Sequence, residues 1–198
     1  IGVSRLQSLP LIIDRLSRMF DLKADPEVIQ RALSRDPALA LMLAARPGLR
    51  VAGGWDAFEV AVRAILGQQV TVAAGVTLVS RLVAQLGEPL VAPTTSGLTR
   101  YFPAPDAFDR EQIVALGMPR ARATALANLA QACLAEPGLL ERQRDLPHTL
   151  ERLCALPGIG DWTANYIAMR AMQESDAFLA SDVALQRAMA GDDGRPDA

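Results

Sequence analysis

The run Leu156-Pro157-Gly158-Ile159-Gly160-Asp161-Trp162-Thr163-Ala164-Asn165-Tyr166 constrains the fold more than any other segment. Pro157, Gly158 and Gly160 set a tight turn between two helical stretches, predicted over 148–156 and 161–173. The first backbone N–H groups of the second helix have no carbonyl of their own to bond. Such a helix start is an anion site, and a DNA phosphate fits it without any basic side chain. Asp182 follows this turn and opens, or nearly opens, a last helix to about Ala190.

The rest of the chain is helical in pattern. Leu11, Ile12, Leu16, Met19 and Phe20 recur at helical spacing between Leu9 and Phe20. Asp25-Pro26 is an N-cap with proline at the first helical position, opening a helix to about Ser34. Another helix runs from Pro37 to Ala45, and Pro47-Gly48 and Gly53-Gly54 punctuate a connector. Asp56 is placed to cap a helix reaching Leu66, which Gly67 interrupts. A second long helix spans about Thr71 to Leu86. Residues 87–104, rich in Gly, Pro and Thr-Thr-Ser-Gly, form a loop and the expected lobe boundary. Helices resume over Ala107–Leu116 and Arg120–Ala135, and Pro137-Gly138 marks a further break. No segment carries the alternation of a sheet, so the predicted fold class is all-α.

A hydrophobic content of 51% suits a folded chain and excludes disorder over most of the length. No apolar run is long enough to span a bilayer. The formal net charge of −2 announces no nucleic-acid partner, so a phosphate contact must rest on backbone amides and local arginines. Arg120, Arg122, Arg142, Arg144 and Arg152 are candidates for such a patch, although each alone fits a solvated helix face. Cys133 and Cys154 read as buried free thiols, not a disulfide, and two cysteines cannot hold an iron–sulfur cluster. His148, the only histidine, flanks or caps a helix. No divalent-metal spacing, nucleotide loop or nucleophile elbow occurs, and no cofactor is expected.

Five segments together resemble a known family in their order and spacing. They are Ala45-Arg-Pro-Gly-Leu-Arg-Val51 with Asp56-Ala-Phe-Glu59, Ala64-Ile-Leu-Gly-Gln-Gln-Val70, Leu116-Gly-Met-Pro-Arg-Ala-Arg-Ala123, Gly160-Asp-Trp-Thr-Ala-Asn-Tyr166 and Asp176-Ala-Phe-Leu-Ala-Ser-Asp182. The family is the 3-methyladenine DNA glycosylase II (AlkA-type) family of the helix–hairpin–helix DNA glycosylase superfamily, and the resemblance runs from about residue 11 to about 189. It implies a two-lobed helical bundle with an active-site cleft between lobes. Residues 1–54 would be N-terminal helices and a connector, 55–190 the glycosylase core with its hairpin at 148–173, and 191–198 a disordered truncated tail. The family normally adds an N-terminal antiparallel β domain and a C-terminal helix with aromatic residues. The chain is therefore expected to be a piece of a longer protein.

Hydrolysis of an N-glycosidic bond develops positive charge on the sugar and calls for a carboxylate beside the anomeric carbon. The resemblance gives that role to Asp182. Ser181-Asp182 before an apolar run is also ordinary N-cap chemistry, and the two roles are compatible. Trp162 stands where glycosylase/lyase relatives carry a Schiff-base lysine, and the only lysine is Lys23. The implied enzyme is thus monofunctional and leaves an abasic site uncut. Trp162 and Tyr166, at i and i+4, would stack a cationic alkylated purine between electron-rich rings; two aromatics at that spacing also fit a core. Gln68 and Gln69 fall in the loop that supplies the family's wedge side chain. The familiar form has an apolar residue where Gln69 stands, and the pair also fits a polar helix end. By the same resemblance Gly158, Ile159, Gly160, Asp161 and Thr163 would form the phosphate-binding hairpin, with Asn165 at the phosphate or bracing the turn. Hairpin carbonyls hold a monovalent cation in the family; no other metal is implied.

The function so implied is excision of 3-methyladenine-type bases from double-stranded DNA in base excision repair. A monomer in the bacterial cytoplasm, associated with the nucleoid and not with a membrane, is expected. The alternatives are a catalytically inactive DNA-binding hairpin module and a monofunctional glycosylase for other damaged or mismatched bases.

Overall fold

The computed structural model describes residues 5–91, 94 and 96–190. The tail expected over 191–198 lies outside the described residues. Among the described residues regular structure is helical, and the one extended pairing is an isolated bridge between Pro89 and Arg100. The all-α class expected from the sequence is what forms. The chain divides into two compact units, Ile1–Asp56 and Ala57–Ala198.

The first unit holds α1 (Leu9–Met19), α2 (Pro26–Leu33) and α3 (Pro37–Ala45). Asp25 accepts from the N–H groups of Glu27 and Val28, and Asp36 from those of Ala38 and Leu39. Each aspartate precedes a proline at the first helical position, where no N–H is needed. Arg50 ties the turn after α1 by donating to the carbonyls of Asp21 and Ala24. The Arg15 guanidinium lies 5.3 Å from the centroid of the Trp55 ring. The helices match the periodicity, but their apolar faces are only partly covered. No described residue of this unit is buried, and Leu11 and Phe20 are both exposed. So few residues enclose little volume.

The second unit holds the core. It comprises α4 (Ala57–Leu66), α5 (Val72–Leu86), α6 (Arg110–Ala115), α7 (Arg120–Ala135), α8 (Leu146–Cys154), α9 (Asp161–Arg170) and α10 (Val183–Met189). Helix α4 packs against α5, α7 and α9, and α9 also packs on α8. Val62, Ile65 and Leu66 of α4, Leu126 and Leu129 of α7, Leu153 of α8 and Ile167 of α9 are fully buried. Helix α9 is enclosed over most of its circumference, with Thr163, Ala164, Asn165, Ile167 and Ala168 all buried. That explains why it lacks a clean apolar stripe.

Three expectations shift. The loop at 87–104 is present but lies inside the second unit. Its ends are closed by Leu90 N–H to Thr99 O and Tyr101 N–H to Glu88 O, both 2.8 Å, and the chain beyond returns to set Phe108 edge-on against Phe58. The helix expected from Ala107 is split, because Asp109 caps α6 anew by accepting from Gln112 N–H at 2.9 Å. Helix α8 begins at Leu146 with Pro147 in its first turn, so His148 lies within the helix, 3.9 Å from Glu151, and does not cap it.

Leu129→Ala, at the centre of this core, should cost about 2–5 kcal/mol. Leu41→Ala, whose side chain is 75% exposed, should change stability by less than about 0.5 kcal/mol. Urea denaturation of the two variants checks the assignment of the core to the second unit.

Candidate active site

The α8–α9 turn is built around one backbone constraint. Gly158 has φ +94°, outside what L side chains ordinarily adopt, and a Cβ there would land on the Cβ of Ala125 and lie 3.3 Å from its Cα. Only glycine lets the turn seat against α7. Ile159 is buried beneath it. Gly160 is the N-cap of α9, and no side chain caps that helix. The first intrahelical bond is Ala164 N–H to Gly160 O at 2.9 Å, so the N–H groups of Asp161, Trp162 and Thr163 have no carbonyl within α9. They form the anion-receptive helix start expected from the sequence.

Most side chains around this turn are engaged within the protein. Thr163 is 3% exposed, and its hydroxyl accepts from Gln68 Nε2 at 2.8 Å. What it can offer a phosphate is its backbone N–H. Gln68 Nε2 also donates to Gly158 O at 3.1 Å, and Gln68 O accepts from Arg122 Nη2 at 2.7 Å. Gln68 is therefore turned into the protein. Gln69 is exposed, with φ +55°. Asn165 braces the turn: it donates to Asp161 O and Oδ1, both at 3.1 Å, and accepts from Phe178 N–H at 3.3 Å.

Asp182 is brought to the start of α9 by a bond between side chains. Trp162 Nε1 donates to Asp182 Oδ2 at 2.8 Å, while Asp182 Oδ1 accepts from the N–H groups of Ala184 and Leu185, each at 2.9 Å. One oxygen thus caps α10 and the other faces the indole. The Leu185 amide first, then the indole, and lastly the Ala184 amide hold its carboxyl below the ordinary value of 3.8, and partial burial opposes them only in part. Asp182 is an anion at neutral pH. The apolar neighbourhood expected around it is more open than its residue types suggest, since Phe178 is 63% exposed.

The Trp162 and Tyr166 rings stack on one another, with centroids 5.2 Å apart and planes at 21°. No third ring fits between them, which corrects the expected sandwich. The Arg170 guanidinium lies 5.8 Å from the Tyr166 centroid.

The arginine patch is mostly engaged. Arg122 holds Gln68, Arg152 pairs with Glu136, Arg142 lies 3.6 Å from Glu174 and Arg120 lies 3.9 Å from Glu111. Arg144 lines an open hollow with Asp145 and Asp176. Cys133 is half-buried and Cys154 exposed, and neither is in a disulfide, so the expectation of buried thiols fails. Cys154 ends α8 on the side away from Thr149 and Leu153, which face the core. Among the described residues no group of three or more His, Cys, Asp or Glu could hold a metal ion. Leu156 O and Gly158 O each accept one hydrogen bond and keep a lone pair, which is compatible with the monovalent cation of the family.

Residues 62–196 match the HhH-GPD superfamily base excision DNA repair protein model, and residues 1–56 match the AlkA N-terminal domain. The chain belongs to the HhH-GPD superfamily. It is 41% identical over 182 residues to DNA-3-methyladenine glycosylase 2 of Escherichia coli, which spans 89% of this chain and 61% of that protein. Its fold is similar to 3-methyladenine DNA-glycosylase from Archaeoglobus fulgidus, with TM-score 0.77 and 24% identity over 95% of this chain and 64% of that one. It is also similar to a Clostridium acetobutylicum 8-oxoguanine glycosylase/lyase solved with double-stranded DNA, with TM-score 0.72 and 22% identity over 88% of this chain and 60% of that one. The segment expected to follow a separate β domain thus matches an N-terminal domain model itself, and the regular structure among its described residues is helical.

Asp182→Asn keeps a capping oxygen but loses the bond from the Trp162 indole, so it should cost less than Asp182→Ala, which should cost about 1 kcal/mol. Because the folded carboxyl lies below its unfolded value, its stabilisation is complete above the ordinary range and is lost as pH falls through the lowered value. Guanidinium titrations at a series of acidic pH values should show the wild-type advantage over Asp182→Ala shrinking only below about pH 4.

Proposed function

We propose that the chain carries the chemistry of a monofunctional DNA glycosylase that hydrolyses the N-glycosidic bond of alkylated bases of the 3-methyladenine type in double-stranded DNA. The observation that carries this reading is the Asp182–Trp162 bond at the start of α9. It places a carboxylate that is ionised at neutral pH against an electron-rich ring stack, beside amides suited to a phosphate.

Each part has a chemical task. The Asp161, Trp162 and Thr163 amides hold a backbone phosphate next to the lesion, which suits a chain of net charge −2. The flipped base lies on the outer face of the Trp162–Tyr166 pair, where a cationic purine gains cation–π attraction that a neutral base does not. Asp182 stabilises the positive charge that develops at the anomeric carbon and orients the attacking water. Trp162 holds one Asp182 oxygen and so couples base recognition to the placement of the carboxylate. No lysine amine stands at this site: position 162 is tryptophan, and the chain's one lysine, Lys23, is paired with Asp14 at 2.9 Å. The product is an abasic site in an uncut strand.

Incubation with methylated duplex DNA should release free alkylated base, with strand breaks only after alkali. Asp182→Asn, which preserves the cap, should lower single-turnover release by roughly 100–1,000-fold while duplex affinity holds. Duplex binding without release by the wild-type chain would favour the catalytically inactive binding module. Equal release by the variant would remove Asp182 from the chemistry.

A further inference from the structure

We propose that Gln68 is a positioning residue. Its carboxamide, together with Arg122, locks the α4–α5 turn onto the hairpin, so that Gln69 alone serves as the wedge at a fixed offset from the phosphate-holding amides. This rests on the function proposed above and adds a division of labour within the glutamine pair.

The geometry separates two neighbours that look alike in sequence. Both N–H groups of the Gln68 amide are used, one on Gly158 O at 3.1 Å and one on Thr163 Oγ1 at 2.8 Å. Its backbone carbonyl accepts from Arg122 at 2.7 Å. Gln68 therefore joins three elements that are remote in sequence: the turn after α4, the α8–α9 turn and the start of α7. Its side chain cannot also enter a base stack without releasing all of the hairpin contact. Gln69, the next residue, has a left-handed backbone at φ +55° and an exposed side chain. Such a conformation persists in a residue other than glycine when its surroundings over-determine it. The Arg122 bond to the peptide group between Gln68 and Gln69 is the constraint at hand.

The consequence is mechanical. A wedge works only if it reaches the gap in the duplex while the neighbouring phosphate is held, and a displacement of about 1 Å can cost a large factor in rate. Gly158 and Thr163 belong to the turn and first helical residues that hold the phosphate, and Gln68 bonds to both. Wedge and phosphate grip therefore move as one body. The buried Thr163 hydroxyl is explained at the same time: it is an acceptor for Gln68.

The test uses a readout that does not need bond cleavage. 2-Aminopurine is placed opposite an abasic analogue in a duplex, and its fluorescence is followed at saturating protein. The wild-type chain should raise the signal as the wedge unstacks that base, and Gln69→Ala should lose the rise. Gln68→Met, which keeps side-chain length but has no amide donors, should also lose most of the rise while affinity for undamaged duplex is retained. Arg122→Met should act in the same direction, and circular dichroism establishes that each variant is folded. In parallel, Gln68→Met should slow base release from a paired lesion by roughly tenfold or more. It should recover towards wild-type rates when the lesion faces an abasic analogue and needs no unpairing. A full fluorescence rise in Gln68→Met overturns the proposal, as does an equal slowing on paired and unpaired lesions. A wild-type chain that raises fluorescence but releases no base would overturn the glycosylase reading and leave the positioning role standing. Absence of any wild-type fluorescence rise, with base release intact, would overturn the positioning role and leave the glycosylase reading standing.

Discussion

The site depends on how closely the Gly158 backbone approaches Ala125. Because a glycine and an alanine meet there, the hairpin turn lies directly on α7, and the first turn of α9 is fixed relative to the core. Helix α9 is buried over most of its length, so its axis is set by packing with α4 and α8. Its three leading amides then point where the backbone sends them, with no side-chain cap to occupy them. An anion site made this way has no rotamers to order, which suits recognition of a DNA backbone by a chain without net positive charge.

The electrostatic design follows from the same frame. The catalytic candidate is held by three donors, two from the backbone of α10 and one from Trp162. All three favour the ionised form, and together they outweigh the burial that would raise the carboxyl. A carboxylate meant to stabilise developing positive charge must stay charged in a site that a bound base will make drier. Hydrogen bonds to the anion meet that need without a neighbouring cation, whose field would oppose the charge forming on the sugar. The nearest guanidinium described at this stack, on Arg170, lies over the Tyr166 ring.

Much of this was legible in the sequence, because local chemistry is written locally. Asp25-Pro26, Asp182 before Val183 and the Pro157–Gly160 turn fix helix ends through interactions spanning a few residues, and the structure has helix ends there. What a single sequence could not reveal was partnership across long separations. Gln68 meets Gly158 and Thr163 some ninety residues away, and Arg122 meets Gln68 across 54. No spacing rule announces these contacts. The same blindness hid the bond between Gln68 and the Thr163 hydroxyl, and led Trp162 and Tyr166 to be expected apart. Helical spacing gives a shared face but does not say whether two rings on it close on each other.

The Trp162 indole also resolves the tension between capping and catalysis at Asp182. A carboxylate that only caps has one oxygen on the helix amides and the other in water, free to rotate with its short helix. Helix α10 has seven residues and no buried residue, so its own packing fixes Asp182 weakly. The indole supplies what α10 lacks: it ties the second oxygen to α9, whose position the core determines. The capping oxygen sets the direction of the carboxylate, and the indole sets its distance from the helix start that would hold the phosphate. A residue that keeps both oxygens engaged in this way is an N-cap, and the same bonds preorganise it for the catalytic role proposed for it, so the two roles are compatible.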